Sequence, residues 1–412
     1  MVRRLFASGL PALHPLAGTA PMRRRALLRS AAVAGAGIAV GGAVGRASDA
    51  FAAPAEAKEP KYKTKRVIVV AFAGGVRQRD VVGMPQNVPN LMRIAKKGAV
   101  LTSVKAANLG HYGAALAIFT GCPEAQGIRE NARGTSPTLF EYLRKHANLP
   151  AHEVWLSTTA GAQTVNFTYG TNPQYGAKYG ANLISTDGLF NAEFRDLIGS
   201  FGQVSVPSGD EAARVEKLAK SLDPGWLEGA KGDDFANDPS ANLRIQRYIL
   251  EELRGDTSAI TGPGAGDAKS IRVARNLLRL FRPKVIGIVL QNADVAHGSY
   301  NSYLEVIRRN DAEVGLLWDA VQADAELRDT TSIFVLPEFG RDAALNQRNG
   351  LDHGDGSEDL YKVFCIAAGP DFKQDKVIQK VTDSFDICPT IAELFGAKAE
   401  EARGKPMKLL YA

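Results

Sequence analysis

Five short runs of apolar and β-branched residues stand out along the chain, at 67–72, 152–157, 285–290, 332–336 and 363–367. Each is short for a helix, and all but 152–157, which opens on His-Glu, are apolar at nearly every position, which predicts strands buried on both faces. Between them, apolar positions recur at helical spacing over 88–97, 113–119, 138–146, 210–220, 241–254, 269–281, 300–323 and 387–394. Strands alternating with longer helices predict an α/β fold whose mostly parallel sheet is covered by helices. No internal repeat is visible. Residues 158–268 break the rhythm: they are rich in Gly, Asn, Asp and Tyr, with an aromatic run at Phe167, Tyr169, Tyr175 and Tyr179 and little strand signal. A long insertion between strands commonly covers the carboxyl edge where ligands bind. The expectation is a cap whose aromatics stack on a sugar or aryl group; a surface excursion is the alternative. Residues 66–412 then form one large domain carrying this insertion.

Composition changes the picture mainly at the N-terminus. With 412 residues, 45% hydrophobic and 23% charged, the chain suits a globular protein with a sizeable core and excludes disordered, collagen-like and disulfide-scaffold classes. The net charge of +6 first suggests nucleic acid or a membrane surface, but seven of the 50 Lys and Arg, and one of the 44 Asp and Glu, fall in 1–52. The remainder carries 43 of each and is neutral, so no nucleic-acid partner is expected.

Residues 1–52 read as a twin-arginine signal peptide. Arg24-Arg25-Ala26-Leu27-Leu28-Arg29 precedes a weakly apolar stretch at 31–45, and Ala50-Phe51-Ala52 supplies a small-x-small cleavage site. The apolar stretch is rather short for a membrane span. An uncleaved anchor helix is the alternative reading, and Met22, directly before the arginines, is a second candidate start. The expectations are recognition by the twin-arginine export machinery, a periplasmic or extracellular location and no membrane span after cleavage. Residues 53–65, rich in Pro, Ala and Lys, read as a linker. Three cysteines, Cys122, Cys365 and Cys388, allow at most one disulfide within the chain, so the fold rests on its core.

Candidate chemistry gathers beside the predicted strand ends. Asp294 and His297 follow the run at 285–290; spaced three apart, carboxylate and imidazole can converge on one divalent ion, although a surface turn uses the same residues. Glu338 and Arg341 lie just past the strand at 332–336, and Asp352-His353 follows on a Gly-rich loop. Such a concentration of charge next to buried strands calls either for a site or for an ion pair of Arg341 with Glu338 or Asp352. His111 opens a helix, where it can ligate a metal, touch a phosphate-like group, or simply cap. Asp80, after Gly74-Gly75, is a ligand candidate or an Asx turn. Neither G-x-G-x-x-G nor G-x-x-x-x-G-K is present in these loops, which weakens nucleotide-cofactor readings.

These segments, in this order, resemble the alkaline phosphatase superfamily, and within it the exported, sulfatase-like branch known as domain of unknown function 1501. The resemblance rests on Gly74-Gly75 with Asp80, on His111 ahead of Thr120-Gly121, on Glu338-Phe339-Gly340-Arg341 followed by Asp352-His353, and on Asp386-Ile387-Cys388-Pro389-Thr390-Ile391 with Phe395-Gly396. It implies a three-layer α/β/α sandwich with divalent metal ions at the carboxyl edge, zinc or manganese first and calcium or magnesium next, and hydrolysis of a small anionic phosphate or sulfate ester. Carried over, Asp294, His297, Glu338, Asp352 and His353 become metal ligands, joined by Asp80 and His111, and Arg341 contacts the anionic substrate. The chain departs from better-known members in having Ala73 at the end of the first strand, Phe339 in place of a ligand, and no hydroxyl aligned near His111. It also lacks the C-x-P-S-R context of formylglycine sulfatases, which disfavours sulfatase activity proper. A metal-activated water needs no side-chain nucleophile. The alternative is a catalytically degenerate binding protein of the same fold that recognises an anionic glycan, lipid or protein partner.

Overall fold

The computed structural model describes residues 61–124, 132–159, 164–185 and 260–412. The leader and the helices expected over 210–220 and 241–254 lie outside them. Among the described residues nine strands form one sheet: β1 (Arg66–Phe72), β2 (Gly98–Lys105), β3 (Val154–Thr158), β4 (Asn182–Ser185), β5 (Val285–Leu290), β6 (Thr331–Pro337), β7 (Lys362–Ala368), β8 (Lys376–Ile378) and β9 (Thr382–Asp383). Their order is β4-β3-β5-β1-β6-β7-β2-β8, with β9 beside β2. The left half, through β6, is parallel throughout; β7 runs antiparallel to both β6 and β2.

The central strands are apolar on both faces because both faces are covered. Of the six longest helices described, α2 (His111–Thr120), α3 (Leu139–His146) and α6 (Ile387–Leu394) pack over Val67, Val69 and Ala71 of β1. On the other face α1 (Pro89–Ala95), α4 (Ala265–Phe281) and α5 (Tyr300–Ala323) pack over Ile68, Val70 and Phe72. The alternation of side chains along a strand thus sorts β1 into two cores, and the result is a three-layer α/β/α sandwich. Local signals fix the ends of the helices. Thr138 caps α3 in a reciprocal capping box with Glu141, the T-x-x-E pattern of a helix start.

Four strands escape the periodicity reading. β2 follows α1 closely and is half-exposed toward its end, while β4, β8 and β9 are short pieces at or near the edge. The described part of the 158–268 stretch adds to the sandwich: β4 extends the sheet, and Phe167 and Tyr175 are buried against α2 and α3. Those two rings belong to the core and are not free to stack on a ligand. Residues of the expected linker are also pinned, since Thr64 donates from its backbone and hydroxyl to Asp371 at 2.8 and 2.6 Å. No helix among the described residues is long and apolar enough to cross a membrane.

Candidate metal centre

Three adjacent parallel strands end level with one another. Phe72 pairs with Leu290 on one side and Pro337 on the other, so the segments that follow β1, β5 and β6 leave the sheet side by side. The turn after β5, Asn292–His297, carries Asp294 and His297; Glu338 follows β6 directly; and His111 opens α2 above the same edge. Close approach of these segments requires glycine at 74, where a Cβ would stand 2.6 Å from Asp294 N and 2.7 Å from Gln291 O. From below, the turn is held by Asp267 in the first turn of α4, whose buried carboxylate accepts from the Gln291 and Asn292 amides and from Asn310 Nδ2.

Two imidazoles are backed by carboxylates. His111 Nδ1 lies 2.5 Å from Glu338 Oε1, and His297 Nδ1 lies 2.5 Å from Asp352 Oδ1. Asp352 is itself held by Asn346 Nδ2 at 3.0 Å. The opposite nitrogens turn inward: Asp294 Oδ1 is 3.0 Å from His111 Nε2 and 3.4 Å from His297 Nε2. His353 completes the group, with one ring nitrogen of each of the three histidines within 4.8 Å of the others. The fully buried Phe339 ring packs on His111 and His353, with centroids 4.8 and 5.1 Å away.

Charge sets the protonation states. Burial works against a charged His111, but the Glu338 and Asp294 carboxylates outweigh it and raise its pKa to about 9. Burial pushes Glu338 up to about 7 against the pull of His111. Burial would also raise Asp294, yet His111 and Arg341 hold it well below the usual carboxylate range. Burial and the neighbouring cationic groups lower His353 to about 4, so it is neutral at physiological pH.

The donor set fits a divalent cation. Glu338 Oε2 is buried without a hydrogen-bond partner, and the buried His111 Nε2 has Asp294 Oδ1 at 3.0 Å, an imidazole nitrogen and a carboxylate oxygen that can share one ion. Three convergent imidazoles, with the Asp294 carboxylate beside two of them, form a nitrogen-rich donor set suited to zinc-class ions more than to calcium or magnesium.

No protein-family model and no curated protein matches the sequence. Among solved structures, wild-type alkaline phosphatase PafA aligns with a TM-score of 0.54 at 10% identity, covering 86% of this chain and 99% of that one. A substituted form of PafA gives the same TM-score at 11% identity and 85% coverage of this chain. The chain has the alkaline phosphatase fold. On it, Asp294, His111, His297 and His353 are drawn together at the carboxyl edge with Glu338, Asp352 and Arg341 in direct contact with them, while Asp80 is not.

Glu338 and Asp352, expected as ligands, stand behind imidazoles, each on the Nδ1 side. Asp80 is not brought to the cluster. Its carboxylate is fully buried and forked by Arg77 at 2.7 and 3.0 Å, with Tyr300 donating at 2.9 Å. A buried carboxylate demands such a partner, and Arg77 supplies it three residues away. Arg341, expected to meet an anionic substrate, is fully buried. Its donors go to Gly74 O, Gly75 O, Leu351 O, Asp294 Oδ1 and His297 Nε2. The ion pair it makes is with Asp294, rather than with Glu338 or Asp352. Asn346, which orients Asp352, was not singled out by the sequence; the only hint is its place before the turn at Asn349-Gly350.

Proposed function

We propose that the protein is an exported, metal-dependent hydrolase of phosphate or sulfate esters, from the sulfatase-like branch known as domain of unknown function 1501. One observation carries the reading. His111 and His297 each have Nδ1 held by a carboxylate, so that both Nε2 atoms turn toward Asp294 and the third imidazole, His353. Carboxylate-backed histidines of this kind are a recurrent arrangement in metal centres, because the outer carboxylate fixes the tautomer and raises the basicity of the ligating nitrogen. His111, His297, His353 and Asp294 would hold the ion. When bound, the cation supplies positive charge that polarises a phosphoryl or sulfuryl oxygen and makes water easier to ionise.

The chain's own residues do the positioning. Glu338 and Asp352 orient the rings, Arg341 anchors Asp294 and the Gly74 loop, and Phe339 keeps one side dry. The α2 N-terminus presents unpaired backbone N–H groups and positive dipole where an anionic ester would sit. The likeness in fold to an alkaline phosphatase supports the phosphate arm, and the leader in 1–52 supports export.

The test is the metal content of the purified protein, followed by a screen of aryl phosphate, diaryl phosphate and aryl sulfate esters with His297→Ala and His353→Ala as controls. Stoichiometric metal, and turnover that both variants abolish, is the expected result. A metal-free protein whose turnover survives both substitutions would refute it. The arrangement of Arg341 favours a second reading, a binding protein for an anionic glycan, lipid or protein partner: its guanidinium is committed inside the protein and is not offered to the reacting group of an ester. Bound metal with ligand retention and no turnover would select that reading.

A further inference from the structure

We infer that Arg77 and Asp80 are positioning residues for His353: through Asp342, this buried pair holds the peptide groups on both sides of that histidine. The inference rests on the metal-binding reading above and deepens it, and it gives a role to Asp80, which stands apart from the cluster.

His353 needs a hold from outside its own segment. His111 and His297 each have a carboxylate behind the ring, whereas among the described residues none lies within ion-pair distance of His353, whose ring meets those of His111, His297 and Phe339. The stretch Asp352-His353-Gly354-Asp355-Gly356 belongs to no helix or strand, and a Cβ at Gly354 or Gly356 would touch nothing within 4 Å. Glycine-rich open backbone is costly in entropy to order, so the direction of the imidazole depends on bonds supplied by other residues.

Those bonds converge on Asp342. Its N–H donates to Asp352 O at 2.9 Å, and its Oδ1 accepts from the Gly354 and Asp355 amides at 2.6 and 3.0 Å. The peptide groups before and after His353 are thus tied to one residue. Asp355 returns the hold, its Oδ2 accepting from the Ala343 amide at 2.7 Å. Arg77 fixes Asp342 in turn: Nη1 donates to Asp342 O at 2.9 Å and to Ala343 O at 3.1 Å. Along its other edge the same guanidinium forks Asp80, which Tyr300 also engages. Asp80 is fully buried and Arg77 nearly so, which keeps the fork from swinging into solvent. Other ties reach the loop farther from His353, from Arg341 to Leu351 O and from the Tyr300 amide to Asn349 O. A planar guanidinium can serve a carboxylate on one edge and carbonyls on another; lysine keeps the charge beside Asp80 but not both edges.

The experiment compares wild type with Arg77→Lys as full chains stripped by a chelator. Amide hydrogen exchange read by mass spectrometry is expected to run about tenfold faster over 342–355 in the variant, and at the wild-type rate over the turn at 291–297, which Asp267 holds. Zinc affinity, measured by competition with a chromogenic chelator, is expected to fall about tenfold on Arg77→Lys in the wild-type background and not at all in a His353→Ala background. Equal losses in both backgrounds, faster exchange in both segments, or unchanged exchange over 342–355 in a folded variant would each overturn the inference. A wild-type chain that binds no zinc overturns the metal-centre reading instead, and the exchange data still decide whether Arg77 holds the loop. If Arg77→Lys does not fold, Tyr300→Phe, which removes one donor from Asp80 and leaves the ion pair, is put through the same two measurements.

Discussion

At the scale of single residues, the carboxylates divide by which side of an imidazole they face. Asp294 meets the inward Nε2 atoms, while Asp352 meets only the outer nitrogen of His297. Asp352→Ala is accordingly expected to weaken zinc binding about 10–100-fold without changing stoichiometry. Competition with a chromogenic chelator checks this, and an affinity equal to wild type would remove Asp352 from the centre. The His111 pair predicts a pH dependence. Without a cation, His111 keeps its proton up to about pH 9 because Glu338 and Asp294 outweigh burial. A cation on Nε2 must displace that proton, so zinc affinity should fall as pH drops from 9 to 7, by about tenfold per pH unit for one released proton. Calorimetry in two buffers of different ionisation heat measures the release; affinity that rises toward pH 7 contradicts it. Residue spacing disclosed that these acids and histidines belong near one edge. It does not disclose which ring nitrogen a carboxylate faces, and that is what separates Glu338 and Asp352 from Asp294. The same holds for Arg341, whose acceptors are largely backbone carbonyls of distant loops and leave no trace in side-chain identity.

At the scale of elements, the site is a contact between loops that follow β1, β5 and β6, and glycine 74 is where two of them touch. Gly74→Ala places a methyl against Asp294 N and Gln291 O, so it is expected to cost about 1–3 kcal/mol of stability and to loosen zinc as well, by moving Asp294. Thr138→Ala removes a cap on α3, a helix that supplies none of the site residues, and is expected to cost about 1 kcal/mol with zinc affinity unchanged. Denaturant unfolding and metal titration of the two variants separate the effects, and equal zinc binding by both would show that the loop contact does not matter. The central strands were legible because burial on both faces demands continuous apolar residues. Helices α5 and α6 were legible from their period and end signals. β2 was hidden by its position directly after a helix and its mixed burial, and β4, β8 and β9 by being only two to four residues long.

At the scale of the whole molecule, the two ends of the charge distribution make separate claims. Residues 53–412 balance their charges, with 43 basic and 43 acidic side chains. Residues 1–52 carry the excess, and the proposed twin-arginine export is checked by Arg24→Lys with Arg25→Lys: the expected result is retention of the precursor in the cytoplasmic fraction, and undiminished export would rule out that route. The sheet order bears on when the centre can form. β1, encoded near the start of the chain, has its neighbours at 285–290 and 331–337, and His353 comes later still. During synthesis the first strand therefore waits without a partner while most of the chain is made, and no shortened product can assemble the ligand set. On the proposed metal and export readings, ion capture is tied to the completion of the polypeptide, which makes a loaded centre a marker that the molecule is whole before export.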